Sequence, residues 1–400
     1  MGNKRLILLI LAAALLLGSM MGVSAENKTL QSGDRGEAVK KLKLRLFNLG
    51  YYPSLKDAKD DFNKDTVRHL IDFQQANGLA GTGVADEATL NLLYSKEVVK
   101  APLPEDRPIY NVDPDSVPEI IYEEPAGLTE TGFLAPGSQP FVIKDRENGY
   151  WYYLSDKIRV EVTRFYQAKS QIEWFEAYIT YNGPGMPKSI SSRNDGKRSE
   201  DPLDLARKNG AVLVINDDYY RYRVRAEERV GVIVRDSVVQ SDNTVPQKHS
   251  RIPSLEVIAL FKDGRMQTFD SDAHTGQEYI DMGVTDTWAF GPILVQEGEV
   301  PRYYYSRDYR SYREPRTAVG MIAPGQYCAL MVTGRKEGSK GATFGWMAEK
   351  MLAMGAREAL NLDGGGSAAI IFMDEILSKS EKNQTARDIS GIIAFCDRCD

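Results

Sequence analysis

Residues 359–372 read Ala-Leu-Asn-Leu-Asp363-Gly364-Gly365-Gly366-Ser367-Ala-Ala-Ile-Ile-Phe372. An apolar run ends on an acid, glycines and a serine follow, and a second apolar run resumes. Consecutive glycines are entropically expensive to order, so they belong where backbone turns sharply or comes very close to something. Successive N–H groups in such a turn can form an anion-binding concavity. Asp363 would stand at its mouth, at the end of a buried strand. The plainer reading is an Asp-Gly hairpin, but a hairpin leaves two of the glycines surplus.

The elements around this stretch alternate short apolar runs with turn signals. The runs are Lys157 to Phe165, Trp174 to Tyr181, Ala211 to Ile215, Val230 to Val239, Leu255 to Phe269 and Tyr327 to Val332. Arg235-Asp-Ser237 and Lys262 to Arg265 read as hairpin turns. Asp201-Pro202 to Asn209-Gly210 is a helix with a cap, a first-turn proline and a terminal glycine. Phe344, Met347, Ala348, Met351 and Leu352 form a helical stripe that ends at Gly355 and feeds the strand before Asp363. From 150 to 400 the pattern predicts one α+β domain on a mostly antiparallel sheet with a few helices.

Composition narrows the chemistry. A net charge of −6 and a pI near 5.4 argue against a nucleic-acid binder or an anionic-membrane binder. His69, His249 and His274 are the only histidines, and no His/Cys group has zinc-ligand spacing, so a three-histidine metal site is not expected, although carboxylates could still hold calcium or magnesium; no metal or cofactor is assigned. Cys328 lies in an apolar run and reads as a buried thiol. Cys396 and Cys399 read as a local disulfide.

Toward the N-terminus, Lys4-Arg5 precede an apolar run from Leu6 to Leu17, then small residues to Val23-Ser24-Ala25. This is an export signal over 1–25, too short to span a bilayer. A secreted, extracellular or wall-associated protein without stable membrane insertion is expected. Residues 29–95 read as three short helices around one small core. Val39, Leu42, Leu46 and Leu49 make the first stripe; Val67, Leu70, Ile71 and Phe73 the second; and Asp86 caps the third. Leu30-Gln-Ser-Gly33-Asp-Arg-Gly36, Leu49-Gly50-Tyr51-Tyr52 and Phe73-Gln74-Gln75-Ala76-Asn77-Gly78 resemble the peptidoglycan-binding-like domain of bacterial wall hydrolases. That resemblance implies a cell-wall glycan or peptidoglycan partner; the alternative is a spacer that binds nothing. From 100 to 149 prolines recur among acids without a period, which reads as an extended linker, with Leu128 to Phe141 packing onto the next domain.

Further motifs fall in order along 150–400: Asn216-Asp217-Asp218-Tyr219-Tyr220, Phe290-Gly291-Pro292, Glu314-Pro315-Arg316-Thr317-Ala318, Thr333-Gly334-Arg335, and Asn361-Leu-Asp363-Gly-Gly-Gly-Ser367. As a set they closely resemble the phosphodiester glycosidase family from about residue 155 to 395. Arg387-Asp-Ile-Ser390 resembles a further segment of it. Where members carry Asn-Gly-Gly-aromatic-Phe, this chain keeps Asn216 and replaces the glycines with acids. The resemblance implies hydrolysis of a sugar joined through its anomeric carbon to a phosphodiester, in an envelope glycan or exopolysaccharide. That chemistry needs an anion clamp, a carboxylate near the anomeric carbon, and a way to activate water. Asp363 is the carboxylate, as base or nucleophile. Asn216 fixes a sugar hydroxyl or the water, and Asp218 is a candidate second acid. Arg316 and Arg335 suit the clamp, because guanidinium pairs two-pronged with phosphate. Gly364, Gly365, Gly366 and Ser367 add contacts to the same anionic saccharide. Two alternatives stand beside this reading: a non-catalytic glycan-binding protein, and a conventional glycosidase pairing Asp363 with Asp218. The Arg/Tyr stretches 219–225 and 302–313 either line a glycan site or shield the core.

Overall fold

The computed structural model describes residues 29–52, 59–120, 122–123, 125–192, 198–218, 230–243, 255–306, 311–380 and 384–398. The chain divides into two units, Met1–Leu103 and Pro104–Asp400. The expected export signal lies outside the described residues, as do Cys399 and the 219–225 stretch. Among the described residues no helix is long and apolar enough to cross a membrane.

In the first unit the apolar stripes become helices Glu37–Asn48, Lys64–Ala76 and Glu87–Leu93. Val39, Leu42, Leu46, Leu49, Leu70, Phe73 and Leu93 share one buried core. Asn63 and Asp86 cap the second and third helices, accepting from the N–H groups of Thr66 and Thr89. Gln74 is buried against the loop between those helices. Its Nε2 donates to Thr82 Oγ1 (3.1 Å), Val84 O (2.9 Å) and Thr89 Oγ1 (3.0 Å), and its Oε1 accepts from Gly83 N–H (2.9 Å).

The second unit is antiparallel throughout its described strand pairs. Its eight-stranded sheet runs Phe141–Asp145, Tyr150–Leu154, Ile158–Gln167, Ile172–Tyr181, Gln326–Val332, Arg316–Ala323, Glu358–Asn361, Ile293–Val295. A five-stranded sheet runs Glu375–Ile376, Ile370–Phe372, Ala211–Asn216, Gly391–Cys396, Lys188–Ser191. Alternation decides what each face meets. Trp151, Val160, Phe175 and Tyr327 of the large sheet share a core with Leu213, Ile215, Phe372 and Phe395 of the smaller one. The opposite face of the smaller sheet, with Val214, Ile371 and Ile392, is covered by Leu203, Leu205 and Ala206 of helix Pro202–Lys208. A three-stranded sheet (Met266–Phe269, Glu256–Phe261, Val284–Phe290) and the hairpin Gly231–Arg235/Val238–Asn243 complete the unit. Cys396 is disulfide-bonded. Burial pushes the free thiol of Cys328 up to about 12, out of reach of ordinary thiolate chemistry.

The proline-bearing segment lies along this unit from Pro104 onward. Tyr110 Oη donates to Tyr304 O (3.1 Å), Trp346 Nε1 donates to Asn111 O (2.8 Å), and Asp115 N–H donates to Tyr166 O (3.0 Å). Phe133 and Leu134 are buried against the strand Tyr150–Leu154. Tyr110 and Asn111 lie against helix Phe344–Ala353 at Gly345 and Trp346, and Lys350 is buried where it meets Glu176, Phe165 and Trp174 of the sheet.

Gln74→Leu keeps volume but strands the Gly83 N–H inside the first unit and removes the shorter of two hydrogen bonds to the Val84 carbonyl. The expected loss is about 1–3 kcal/mol of that unit's stability. It would show as faster amide exchange in Lys64–Ala76 and Glu87–Leu93, while exchange in the eight-stranded sheet stays as in the unaltered chain.

Candidate active site

The chain reaches the glycine-rich loop along Glu358–Asn361 in the large sheet and leaves it along Ile370–Phe372 in the five-stranded one. The loop is therefore the crossing between the two layers. On the large-sheet side, Leu362 N–H donates to Thr317 O and Gly365 N–H to Pro315 O, each at 2.8 Å. On the other side Asn216, the last residue of its strand, takes hold. Its Nδ2 donates to Asp363 O (2.8 Å) and Asp217 O (3.1 Å), and its Oδ1 accepts from Ala369 N–H (3.0 Å). One buried amide thus closes both ends of the loop.

The glycines answer to different neighbours. A Cβ on Gly364 would sit 2.6 Å from Pro315 O, and one on Gly366 would sit 2.5 Å from Arg387 Cζ. Gly365 has φ +63°, and the nearest atom to a Cβ there would be Arg335 Nη1, at 3.3 Å. Two guanidinium groups therefore lie against the loop. The loop's own donors are largely committed: Gly364 N–H to Asp363 Oδ1 (2.9 Å), Gly365 N–H to Pro315 O (2.8 Å) and Ser367 N–H to Gly364 O (3.2 Å). The expected N–H concavity is spent on closing the turn, and positive charge at the loop comes from arginine.

Gly365 and Gly366 form one wall of a cleft of about 300 Å³. Arg335, Lys336, Lys379 and Thr333 stand around it, over a floor that includes Met331 and Ile376. Arg335 Nε donates to Glu314 Oε2 (2.6 Å), and this carboxylate holds the guanidinium pKa above its ordinary value. Lys336 pairs with Glu173 at 2.5 Å. Asp363 precedes this wall, half-buried.

The remaining expected residues sit deeper. Arg316 is 8% exposed. Its Nε donates to Ala342 O (2.8 Å) and its Nη2 to Tyr312 O (2.7 Å), with the guanidinium 3.6 Å over the Phe344 ring. Its backbone borders Gly364, but its head group braces neighbouring loops. Asp218 is 1% exposed, with oxygens 3.2 and 3.4 Å from Arg235 Nη2 and a 2.9 Å bond from Ala289 N–H. Asp217 is 4.0 Å from the same guanidinium. So Arg335, Gly365 and Gly366 meet at the cleft and Asp363 adjoins them. Asn216 and Arg316 converge on the loop as buried supports, and Asp218 belongs to an ion cluster with Arg235. Tyr303 and Tyr304 are buried, and their hydroxyls donate to Ile293 O at 2.9 and 2.8 Å, a core-shielding role; 307–310 lie outside the described residues.

Sequence reasoning did not place Lys336 or Lys379 at the cleft, Arg387 against Gly366, or Arg235 beside the acids. Arg387 had a signal, the quoted Arg387 to Ser390 motif. Arg235 closes an apolar strand run, where a lone cation calls for a buried anion. Among the described residues no group of three or more acidic, histidine or cysteine side chains is gathered to hold a metal.

Comparison with known proteins bears on these two units. Residues 209–396 match the family model "Phosphodiester glycosidase", and residues 35–93 match "Putative peptidoglycan binding domain". The chain is 28% identical over 215 residues to the SPbeta prophage-derived uncharacterized protein YomE of Bacillus subtilis (strain 168). That match takes in 49% of this chain and 32% of the relative, so the chain spans about a third of the relative's length. Among solved structures, the zebrafish N-acetylglucosamine-1-phosphodiester alpha-N-acetylglucosaminidase (NAGPA) catalytic domain, auto-inhibited by pro-peptide, aligns with TM-score 0.47 and 15% identity. The alignment covers 61% of this chain and 85% of that one. A hypothetical protein from Synechocystis aligns with TM-score 0.44 and 13% identity, over 65% of this chain and 64% of that one. The chain is thus similar to the phosphodiester glycosidase family over residues 209–396 and to the peptidoglycan binding family over residues 35–93.

Proposed function

We propose that the second unit hydrolyses the bond between a sugar's anomeric carbon and a phosphodiester oxygen in an envelope glycan or exopolysaccharide. In this reading the chain is exported and the first unit holds it to wall glycan. The observation that carries the proposal is the pair of guanidinium groups, Arg335 and Arg387, set against Gly365 and Gly366 next to Asp363.

Water adds to the anomeric carbon, the carbon–oxygen bond to phosphorus breaks, and a phosphate monoester leaves with that oxygen. Asp363 takes the proton from water as base, or attacks first as nucleophile and is then released by water. The diester carries one negative charge and the departing monoester approaches two near neutral pH. Arginines placed at that phosphate gain attraction as the bond breaks, so they favour the transition state over the bound substrate. Phosphate leaves readily, so a second carboxylic acid is not required. Asp218, buried against Arg235, fits that economy.

Binding without turnover is the second reading. It is favoured by the acids that replace the family's glycines after Asn216.

The full chain, offered a nucleotide sugar as a sugar-1-phosphodiester, is expected to release the nucleotide as a phosphate product, followed by chromatography. Asp363→Ala should abolish turnover. Saturable binding of several such donors without release would favour the second reading, and comparable cleavage of uncharged aryl glycosides would favour a two-carboxylate glycosidase.

Arg335→Ala and Arg387→Ala should each lower kcat/KM about 10²-fold, with the loss in kcat as well as KM, since charge grows during reaction. A loss confined to KM would place these arginines in uniform binding only.

Asn216→Ala frees the Asp363 carbonyl and the Ala369 N–H. The expected outcome is about 1–3 kcal/mol of lost stability together with a drop in kcat at little-changed KM, read from Michaelis curves on the folded fraction.

A further inference from the structure

A second cavity, of about 400 Å³, lies on the outer face of the eight-stranded sheet. It shares no lining residue with the cleft at the glycine loop. Strand register builds it. Tyr152, Glu161 and Tyr178 are direct cross-strand partners on three neighbouring strands. One step along, Leu154, Arg159, Thr180 and Gln326 form the next row on the same face. The alternate residues of these strands, Tyr153, Val160 and Ile179, point into the core. Tyr122, from the proline-bearing segment, closes the cavity from above, with its ring 5.6 Å from that of Tyr152 and 6.0 Å from that of Tyr150.

The chemistry of this lining is specific. Tyr122 and Tyr178 keep 39% and 37% of their surface exposed, although they belong to a walled cavity. Burial raises the Glu161 carboxyl pKa, against the opposing pull of Arg159 and a hydrogen bond from Tyr150. Arg159 also reaches the Phe133 ring, 5.7 Å from its centroid. A carboxylate, a guanidinium and a primary amide therefore stand among flat aromatic faces. Carboxylate and guanidinium each engage two neighbouring hydroxyls, as acceptor and donor respectively, and phenol rings cover C–H faces. With one charge of each sign, the pair suits a neutral ligand rather than an anion.

We propose that this cavity binds a neutral sugar ring of a glycan, with Tyr122, Tyr152 and Tyr178 against its faces and Arg159, Glu161 and Gln326 on its hydroxyls. The cavity and the loop cleft take residues from opposite ends of the strand Gln326–Val332, Gln326 and Tyr327 at one end and, at the other, Met331 with Thr333 just beyond it. Six steps of extended chain separate those ends by about 20 Å. A glycan engaging both would present different units to each, so this is a holding site beside the reacting one. The inference stands whether or not the loop cleft turns over substrate.

The test uses the full chain carrying 3-fluorotyrosine at position 178, titrated with maltotriose and with triacetylchitotriose while the fluorine resonance is followed. A saturable shift with at least one neutral trisaccharide is expected, and about tenfold weaker binding in Tyr122→Ala and in Glu161→Gln. Tyr122 is on a surface segment, so its loss leaves the sheet folded; Tyr152→Phe, which keeps the ring, should retain most of the affinity. The fluorine label sits in the lining of this cavity, so the shift reports ligand there. The proposal is overturned by absence of a shift with both sugars, by affinity unmoved in Tyr122→Ala, or by a shift produced only by a sugar phosphate or a peptide.

Discussion

Asn216 is the point on which the second unit turns. The glycine-rich loop begins in one sheet and ends in the other, so its shape depends on how two layers are held at that edge. The amide of Asn216 is committed at both ends: oxygen to the Ala369 N–H, nitrogen to the carbonyls of Asp363 and Asp217. Aspartate has the same shape but no donor, and would set a charge beside two carbonyl oxygens. Glutamine has the groups but a longer stem. A buried amide with every arm engaged is worth more as a constraint than as a contact, because leaving any arm unmade costs the full desolvation of its partner. The position of Asp363 is thereby set from the five-stranded sheet, although the strand that delivers it belongs to the eight-stranded one.

Once the loop is fixed in this way, the source of positive charge follows. A turn tight enough to cross between the sheets consumes its own N–H groups, those of Gly364, Gly365 and Ser367. What the missing side chains provide is access. Pro315 O comes close at Gly364, and the guanidinium of Arg387 comes close at Gly366, where any larger residue would push it away. Arginine at such a place carries a full charge and two parallel donors, against the partial charge of an amide. Arg335 is steadied by Glu314 and is still more than half exposed, so a phosphate competes with that carboxylate on near-even electrostatic terms.

Much of this architecture was legible in the residues. Short apolar runs such as Trp174 to Tyr181 and period-3.6 stripes such as Val39 to Leu49 write their burial directly into sequence, and hairpin turns mark where the strands reverse. The sequence also singled out the glycine loop and Asn216, and the structure joins the two through the Asn216 amide. What could not be read was direction. Nothing local distinguishes Arg335, which reaches a cleft, from Arg316, whose head group is spent on Ala342 and Tyr312. That choice is made by residues far away in the chain. Leu128 to Phe141 is expected to pack onto the second unit, and Phe133 and Leu134 do so. The rest of the segment after Leu103 reads as a linker for a related reason: Tyr110 is a single anchor among prolines, and a chain that crosses a surface without pairing regularly leaves no period to detect. The tyrosines of the outer-face cavity become neighbours only through strand register, which joins residues 152, 161 and 178.

The acids after Asn216 show how a departure from a family pattern can be absorbed. Two carboxylates at 3% and 1% exposure would be untenable alone. Arg235 meets both, and its own donors are filled by Val234 O and Thr287 O with Trp288 alongside. Room for the Asp217 side chain exists because Gly391, on the neighbouring strand, has none; a Cβ there would collide with the Asp217 carboxylate. The volume added at one position is matched by volume absent at another, and the charge by a cation at the end of the strand Gly231–Arg235. The cluster ties the two residues after Asn216 to the Arg235 guanidinium and to the Ala289 N–H.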